Sequence, residues 1–470
     1  MAERMQTGIP GLDRLLGGGF LHHNSVLLKG SPGAGKTTLG IQMLVNGATQ
    51  FGEPGVMISF EQFPQQLQRD TAAFGWDLQA LMEEKKIAVL FADPADLAVS
   101  TTRTENPFVS KIVEIADEIG ARRLLVDSLS HLEGIELPPR MTPRQALMRF
   151  LGTIKCEGLT PILTAELREG GAPFEDYLVD SVVFLHHIHG ADGRPDRREI
   201  EIVKTRGQRT IGGRHPLRIG DGGVEVFPHI LPEGEPPEPD PEPLGSGIAG
   251  LDRLLGGGYT IGSAVLVAGM AGAYKTTLAA HFLAEGLARG EAGLMISFQE
   301  PAGHLTQFLA QRGIDVRPAV ESGDLTIWRR EPRDTCVEEL VWRAGQLIQE
   351  RGIRRVVLDS TNDLESCQIT RGQSAMALRL FLSEMIHRGV TTLLTQRIQR
   401  VSGNNPIADI EHVSLVDTIV FLGLAEIESQ LEKVISVLKH RGAKPDTELR
   451  GIACGERGLE VLHRFVGLCG

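Results

Sequence analysis

Aromatic residues are scarce in this chain. Only 5% of its 470 residues are Phe, Trp or Tyr, with three tryptophans and three tyrosines. No stretch interleaves aromatics with basic residues, the pattern that grips single-stranded nucleic acid by stacking and phosphate contact. Positive charge is short as well: 48 Lys and Arg stand against 60 Asp and Glu, a net charge of −12. That balance works against unaided binding to duplex nucleic acid or an acidic membrane surface. Cysteine is limited to Cys156, Cys336, Cys367, Cys454 and Cys469, scattered without paired spacing. This argues against a zinc site or a disulfide framework and fits a reducing cytosol. No apolar run approaches a membrane span, and MAERMQTGIPGLD has no apolar targeting core. A soluble, cytoplasmic protein is expected, with no nucleic acid and no membrane among its partners.

What is present is repetition. GIPGLDRLLGGG from Gly8 returns as GIAGLDRLLGGG from Gly247, and MISFEQ (Met57 to Gln62) as MISFQE (Met295 to Glu300). LLVDS ending at Ser128 returns as VVLDS ending at Ser360, VDSVVFL from Val179 as VDTIVFL from Val416, and KTRG from Lys204 as KHRG from Lys439. A repeat this long is a duplicated domain and not a solenoid. Between the copies, PHILPEGEPPEPDPEPLG alternates proline with acid, a stiff, solvated connector that builds no core. The expected organisation is a first domain at 1–228, a Pro/Glu-rich linker at 229–244 and a second domain at 245–470. A hydrophobic content of 41% is enough for two cores.

Within the first copy SVLLKG, VMISFE, RRLLVDS, TPILTAE and SVVFLHH read as buried strands, and QQLQRDTAAFG and NPFVSKIVEIADEIG as helices. This alternation predicts α/β domains, each a mostly parallel sheet flanked by helices. GSPGAGKT (Gly30 to Thr37) follows a strand and opens a helix, the setting in which backbone N–H groups cradle phosphates. Gly30, Ser31, Pro32, Gly33, Ala34, Gly35 and Thr38 are therefore expected to line an ATP site. Lys36 would reach the β- and γ-phosphates, and Thr37 would hold Mg²⁺. Asp127 ends an apolar strand where a carboxylate can hold that ion through water, and Asp359 is its counterpart. Each is followed by serine (Ser128, Ser360), so a base that activates water must come from elsewhere; Glu61, at the end of strand VMISFE, is the best candidate.

Together TGIPGLDRLLGGG, GSPGAGKTTL, ISFEQFPQQL…FGWDL and KTRG resemble the KaiC family, from Thr7 to about Phe465. These are tandem RecA-like P-loop NTPase domains, named for a circadian clock protein. The resemblance implies a homo-oligomer, a hexameric double ring with ATP between subunits, slow hydrolysis in the first domain and Ser/Thr autophosphorylation in the second. It also implies unidentified regulatory protein partners. It assigns Lys204 and Arg206, and Lys439 and Arg441, to a neighbouring subunit's nucleotide; two apart on a strand, each pair would share one face.

The second copy departs from the family pattern. GAYKTT keeps Gly272, Ala273, Lys275, Thr276 and Thr277 after Gly269, but Tyr274 replaces the glycine before the lysine. A tyrosine is expected to be tolerable there if its φ is negative and its ring turns outward. The family's adjacent glutamates read Glu61-Gln62 in the first domain and Gln299-Glu300 in the second. Gln299 stands where Glu61 stands and cannot accept a proton; Glu300 is the carboxylate that remains as a catalytic candidate. The family's phosphoacceptor pair falls on Val413-Ser414, leaving Ser414 as the candidate. The chain stops at FVGLCG, without the clock protein's long tail, which counts against classical clock output and leaves open whether a clock is involved.

The function that follows is an oligomeric regulatory ATPase whose second domain binds nucleotide with impaired turnover. A Ser/Thr autokinase and a RecA/RadA-like recombination ATPase are the alternatives, the latter disfavoured by charge. Thr164 and Glu166, with Thr395 and Gln396, end strands near the expected γ-phosphate and are candidate sensors. HHIH (His186 to His189) has no Cys or further His at ligand spacing and reads as a strand end.

Overall fold

In this computed structural model the chain divides into two compact units, Met1–His229 and Ile230–Gly470. The structure describes residues 3–93, 107–132, 142–167, 174–190, 195–229, 232, 234–238, 242–367, 371–398, 410–427 and 430–464. The expected linker and the FVGLCG terminus lie partly or wholly outside them.

In the first unit β1 (Arg4–Met5) and β2 (Phe20–Leu21) form a small antiparallel pair. The main strands follow as β3 (Val26–Gly30), β4 (Gly55–Ser59), β5 (Ile87–Phe91), β6 (Arg123–Asp127), β7 (Thr160–Glu166), β8 (Ser181–Ile188), β9 (Arg197–Thr205), β10 (Arg214–Gly220) and β11 (Gly223–Val226). They lie in the order β11-β10-β9-β8-β3-β7-β6-β4-β5. From β5 to β8 all neighbours are parallel; β9, β10 and β11 extend the sheet antiparallel.

The second unit repeats this. β12 (Pro243–Leu244) pairs with β13 (Tyr259–Thr260). Then come β14 (Ala264–Gly269), β15 (Gly293–Ser297), β16 (Leu325–Arg329), β17 (Arg355–Asp359), β18 (Thr391–Arg397), β19 (Thr418–Ile427), β20 (Gln430–His440), β21 (Arg450–Gly455) and β22 (Gly458–Arg464). Their order is β16-β15-β17-β18-β14-β19-β20-β21-β22.

Every residue of β3, β4 and β6 is buried, which is why these strands read as continuous apolar runs without alternation. Helix Lys36–Gln50 covers one face, burying Leu39, Ile41, Met43, Leu44 and Val45. On the other, Val109, Ile112 and Ala116 of helix Pro107–Ile119 join a core with Leu147, Phe150, Leu151 and Ile154 of helix Pro143–Cys156. That last helix starts on a capping box, Thr142 with Gln145, which satisfies two terminal N–H groups.

Sequence reading missed one anchor. Arg123, fully buried at the start of β6, donates to the carbonyls of Met43 (2.6 Å) and Gln6 (2.8 Å) and to Glu53 (2.7 Å). Gly47 makes room for it: a Cβ there would lie 2.5 Å from the guanidinium. Arg355 repeats most of the arrangement, with Nε on Glu291 and Nη1 on the carbonyls of Phe282 and Gly245 beside Gly286, but its buried Nη2 has no hydrogen-bond partner among the described residues. A buried guanidinium is costly unless its donors are met, fully as at Arg123 or for the most part as at Arg355. It ties helix, strand and the segment before the first helix together behind each phosphate loop.

Candidate nucleotide sites

Each phosphate loop joins a central strand to the helix that covers the sheet, at the carboxyl ends of the parallel strands, where open α/β sheets bind ligands. In the first domain Gly33 (φ 74°) and Gly35 (φ 99°) turn the loop through the left-handed region that glycine enters without strain. Lys36 Nζ folds onto the carbonyls of Gly30 (3.0 Å) and Ser31 (3.1 Å). Thr37 donates its hydroxyl to Asp127 Oδ2 at 2.9 Å, and Thr164 donates to the other carboxylate oxygen. Threonine hydroxyl and carboxylate are hard oxygen donors, a set that suits Mg²⁺.

The charges around Lys36 are acidic. Burial pulls its ammonium below the ordinary lysine value, while Glu166, Asp127 and Glu61 oppose that shift. Burial also pushes Asp127 up, against the hydrogen bonds from Thr164 and Thr37 that favour its charge. Glu61 therefore lies within electrostatic reach of both groups. The expectation that Glu61 ends the strand is corrected: β4 ends at Ser59, and Glu61 stands in the bend beyond.

In the second domain Lys275 bonds the carbonyls of Gly269 (2.9 Å) and Met270 (2.7 Å), Thr276 donates to Asp359 Oδ2 at 2.8 Å, and Thr395 donates to its other oxygen. The holding parts are superposable in kind. Tyr274 corrects the expectation of a negative φ: it takes φ 69°, the left-handed position of Gly35, because the loop must make the same turn into its helix. A side chain there costs about 1–3 kcal/mol, so surrounding contacts must hold it. Lys433 Nζ lies 3.5 Å from the ring centroid, and the ring packs on the same core as Cys454. Cys454 occupies the strand position that Ile219 holds in the first domain. There a Cβ on Gly35 would meet Ile219 Cδ1 at 2.7 Å. The smaller residue accompanies the tyrosine.

Gln299 and Glu300 also lie beyond their strand, which ends at Ser297. Gln299 Nε2 donates to Asp363 Oδ2 at 2.9 Å, and Ser360 donates to the same oxygen at 2.6 Å. On Lys275 the supporting carboxylate is Asp359, and the opposing charge is Arg397. Arg397 pairs with Gly269 in register, as Glu166 pairs with Gly30. The sensor expectation named Gln396, but register gives Glu166's place to Arg397; Gln396 is buried one residue earlier.

The basic pairs are elsewhere. β9 ends at Thr205, so Arg206 is in the following turn and the two side chains do not share a strand face. Lys204 donates to the carbonyls of Asp176 (2.9 Å) and Val179 (2.8 Å), and Arg206 to that of Tyr177 (3.2 Å). Lys439 repeats this on Val413 (2.8 Å) and Val416 (2.6 Å), with Arg441 on Asp417 (3.1 Å). Both pairs flank the first residues of β8 and β19, which lie beside the starts of β3 and β14. Their own phosphate loops follow the ends of those strands, ~13 Å or more along the sheet at ~3.3 Å per residue. Exposed Ser414 stands in the turn that Lys439 holds, at the same far end.

Fold and loops together define a tandem RecA-like P-loop nucleotide-binding protein. A family model for the KaiC ATPase matches residues 5–230 and again 244–464, and the chain belongs to the KaiC family. It is similar to the circadian clock oscillator protein KaiC of Prochlorococcus marinus strain MIT 9313, 28% identical over 474 residues, 98% of this chain and 93% of the relative. The protein of the same name from Synechococcus elongatus is 28% identical over 473 residues, 98% of this chain and 89% of that one. Among the described residues no helix is long and apolar enough to cross a membrane.

Proposed function

We propose that the chain is an oligomeric regulatory ATPase whose first domain hydrolyses ATP slowly and whose second domain holds nucleotide with little turnover. Lys36 would leave the loop carbonyls for the β- and γ-phosphates, while Thr37 and Asp127 would hold Mg²⁺, which neutralises phosphate charge when bound. Glu61 would take the proton of the attacking water. The observation that carries the asymmetry is Gln299, an amide at Glu61's position, fastened to Asp363. An amide is no base at neutral pH, and losing a positioned base removes about 10²- to 10⁴-fold in rate.

Lys204, Arg206, Lys439 and Arg441 are too far from their own loops to touch phosphates there. Their use as phosphate ligands therefore requires a second copy of the chain, in keeping with a ring. A regulatory or timing role with protein partners rests on kinship to the clock oscillator proteins. The test compares Lys36→Ala with Lys275→Ala in ATPase rate and in nucleotide retained through purification. Lys36→Ala should abolish turnover, and Lys275→Ala should empty one site while leaving most turnover; the opposite pattern overturns the assignment.

Autophosphorylation is the second reading, favoured by the exposure of Ser414. Because Ser414 lies at the far end of the sheet from its own loop, its phosphate would come from another copy. Mixing Ser414→Ala chains with Lys275→Ala chains and ATP should label only the latter. No phosphopeptide from residues 400–418 in the wild type would remove this reading.

A further inference from the structure

The end of the β8–β9 hairpin gathers three donor atoms that the nucleotide chemistry does not use. His187 and His189, two apart on the chain, present their rings 4.6 Å apart on one side of the hairpin. Asp196 returns from the other side of the turn, and its Oδ2 lies 2.9 Å from His187 Nε2 and 3.1 Å from His189 Nδ1. The Gly190 N–H donates to Oδ1 at 3.0 Å, which leaves Oδ2 aimed at the two imidazoles. All three donor atoms fall within 4.8 Å of one another. The sequence reading stopped at the two histidines because the third donor is a carboxylate seven residues further on.

We propose that His187, His189 and Asp196 form a site for a divalent transition-metal ion that clasps this hairpin over the first domain's phosphate loop. Zinc binds imidazole nitrogen and carboxylate oxygen at about 2.0–2.2 Å, which in a tetrahedron separates donors by roughly 3.3 Å. The two carboxylate–imidazole spacings need to open by only a few tenths of an ångström, and the two imidazole donors already lie within 4.8 Å of each other. Two imidazoles and one carboxylate select Zn²⁺, Co²⁺, Ni²⁺ or Cu²⁺ over Mg²⁺ and Ca²⁺, which prefer all-oxygen shells. His189 is largely exposed, so the remaining coordination positions open to water.

Two contacts tie the site to the loop. A Cβ on Gly33 would lie 3.7 Å from His187 Nδ1, so the ring's other edge faces the loop. Arg198, paired across from His187, donates Nε to the Gly33 carbonyl at 3.1 Å. That bond holds the Arg198 guanidinium against the loop. The second domain carries Leu424, Glu426 and Leu431 at the matching strand positions and cannot build the same shell.

Metal-stripped full-length protein, kept in saturating Mg²⁺ and ADP, would be titrated with Zn²⁺ against a chromophoric chelator. Wild type should bind one more equivalent than the His187→Ala variant. His189→Ala and Asp196→Asn should each weaken that equivalent by more than about tenfold, the loss caused even by an outer-shell change at a metal site. His189 is exposed enough that its replacement leaves folding intact. Identical stoichiometry and affinity in wild type and all three variants overturns the proposal. Co²⁺ provides an independent readout: d–d bands without thiolate charge transfer are expected, and a thiolate band would place the ion on cysteine and overturn the proposal as well.

Discussion

One strand ends with opposite charges in the two domains. Glu166 closes β7 beside the first residue of the first phosphate loop, and Arg397 closes β18 beside the first residue of the second. Around these ends the holding parts recur: a lysine on two loop carbonyls, a threonine on an aspartate, and a second threonine on that aspartate's other oxygen. What changes is the acid set. Glu61 acts electrostatically on Lys36 and Asp127, whereas its counterpart Gln299 is bonded to Asp363. If Glu61 is the base, as proposed, duplication would let one copy lose it without losing the site, because binding and proton transfer would rest on different residues.

The strongest way to break this comparison is to remove the proposed base, the carboxylate that only the first copy has at this position. Glu61→Gln should lower the ATPase rate about 10²- to 10⁴-fold while nucleotide stays bound. Single-turnover hydrolysis and nucleotide content check the two halves of that statement. Gln299→Glu should restore little, because Asp363, already accepting from Gln299 and Ser360, would face the new carboxylate. Full turnover in Glu61→Gln would show that the domains do not differ where proposed.

Next in size is a change that should treat both domains alike. Arg123→Met and Arg355→Met each leave a carboxylate and two carbonyls without their buried donor. Breaking such an arrangement costs about 3–5 kcal/mol. Urea denaturation of the full chain should show an early transition in either variant. A loss confined to one of them would mean that the two frames, and not only the two sites, have diverged.

Much of this was legible in the sequence, for physical reasons that also mark where reading stopped. The buried strands announced themselves because both faces are covered, and the loop because its glycines and lysine stand at fixed spacing between strand and helix. Gln299 was found because the repeat supplies an internal reference. Tyr274's backbone was misjudged, since steric preference alone argues for negative φ and nothing local reveals Lys433 above the ring or Cys454 in place of isoleucine. Arg123 and Arg355 hid because an arginine before an apolar run reads as a solvated strand end; Gly47 and Gly286, on another element, are the signal. Aligning the two copies position by position would have exposed Cys454 and Arg397, whereas Asp196 needs the hairpin itself.

The tyrosine can be transplanted to test that pairing. Gly35→Tyr alone should destabilise the first domain by roughly 1–3 kcal/mol, through overpacking on Ile219 and a left-handed φ of 99°. Adding Ile219→Cys should recover about 0.5–1 kcal/mol beyond the sum of the single effects, a coupling of the size that contacting residues show. Strict additivity would mean that Cys454 is not what accommodates Tyr274.

The smallest expected effect returns to the strand end. Glu166→Arg should tighten nucleotide in the first domain, and Arg397→Glu should loosen it in the second. Both residues are exposed, so each change is worth ~0.2–1 kcal/mol, at most about fivefold in affinity. The sign follows from the ligand: a polyanion gains from a guanidinium beside Lys275 and loses from a carboxylate beside Lys36. Salt should shrink both shifts, since these charges act through solvent and not through a buried contact. ADP titrations at low and high salt, each with the opposite domain's lysine replaced by alanine, separate the two sites. If Arg397→Glu left affinity unchanged at low salt, the charge reversal would be a solvated difference with no part in holding nucleotide. The second domain's grip would then rest on Lys275 and Thr276, as the first domain's is proposed to rest on Lys36 and Thr37.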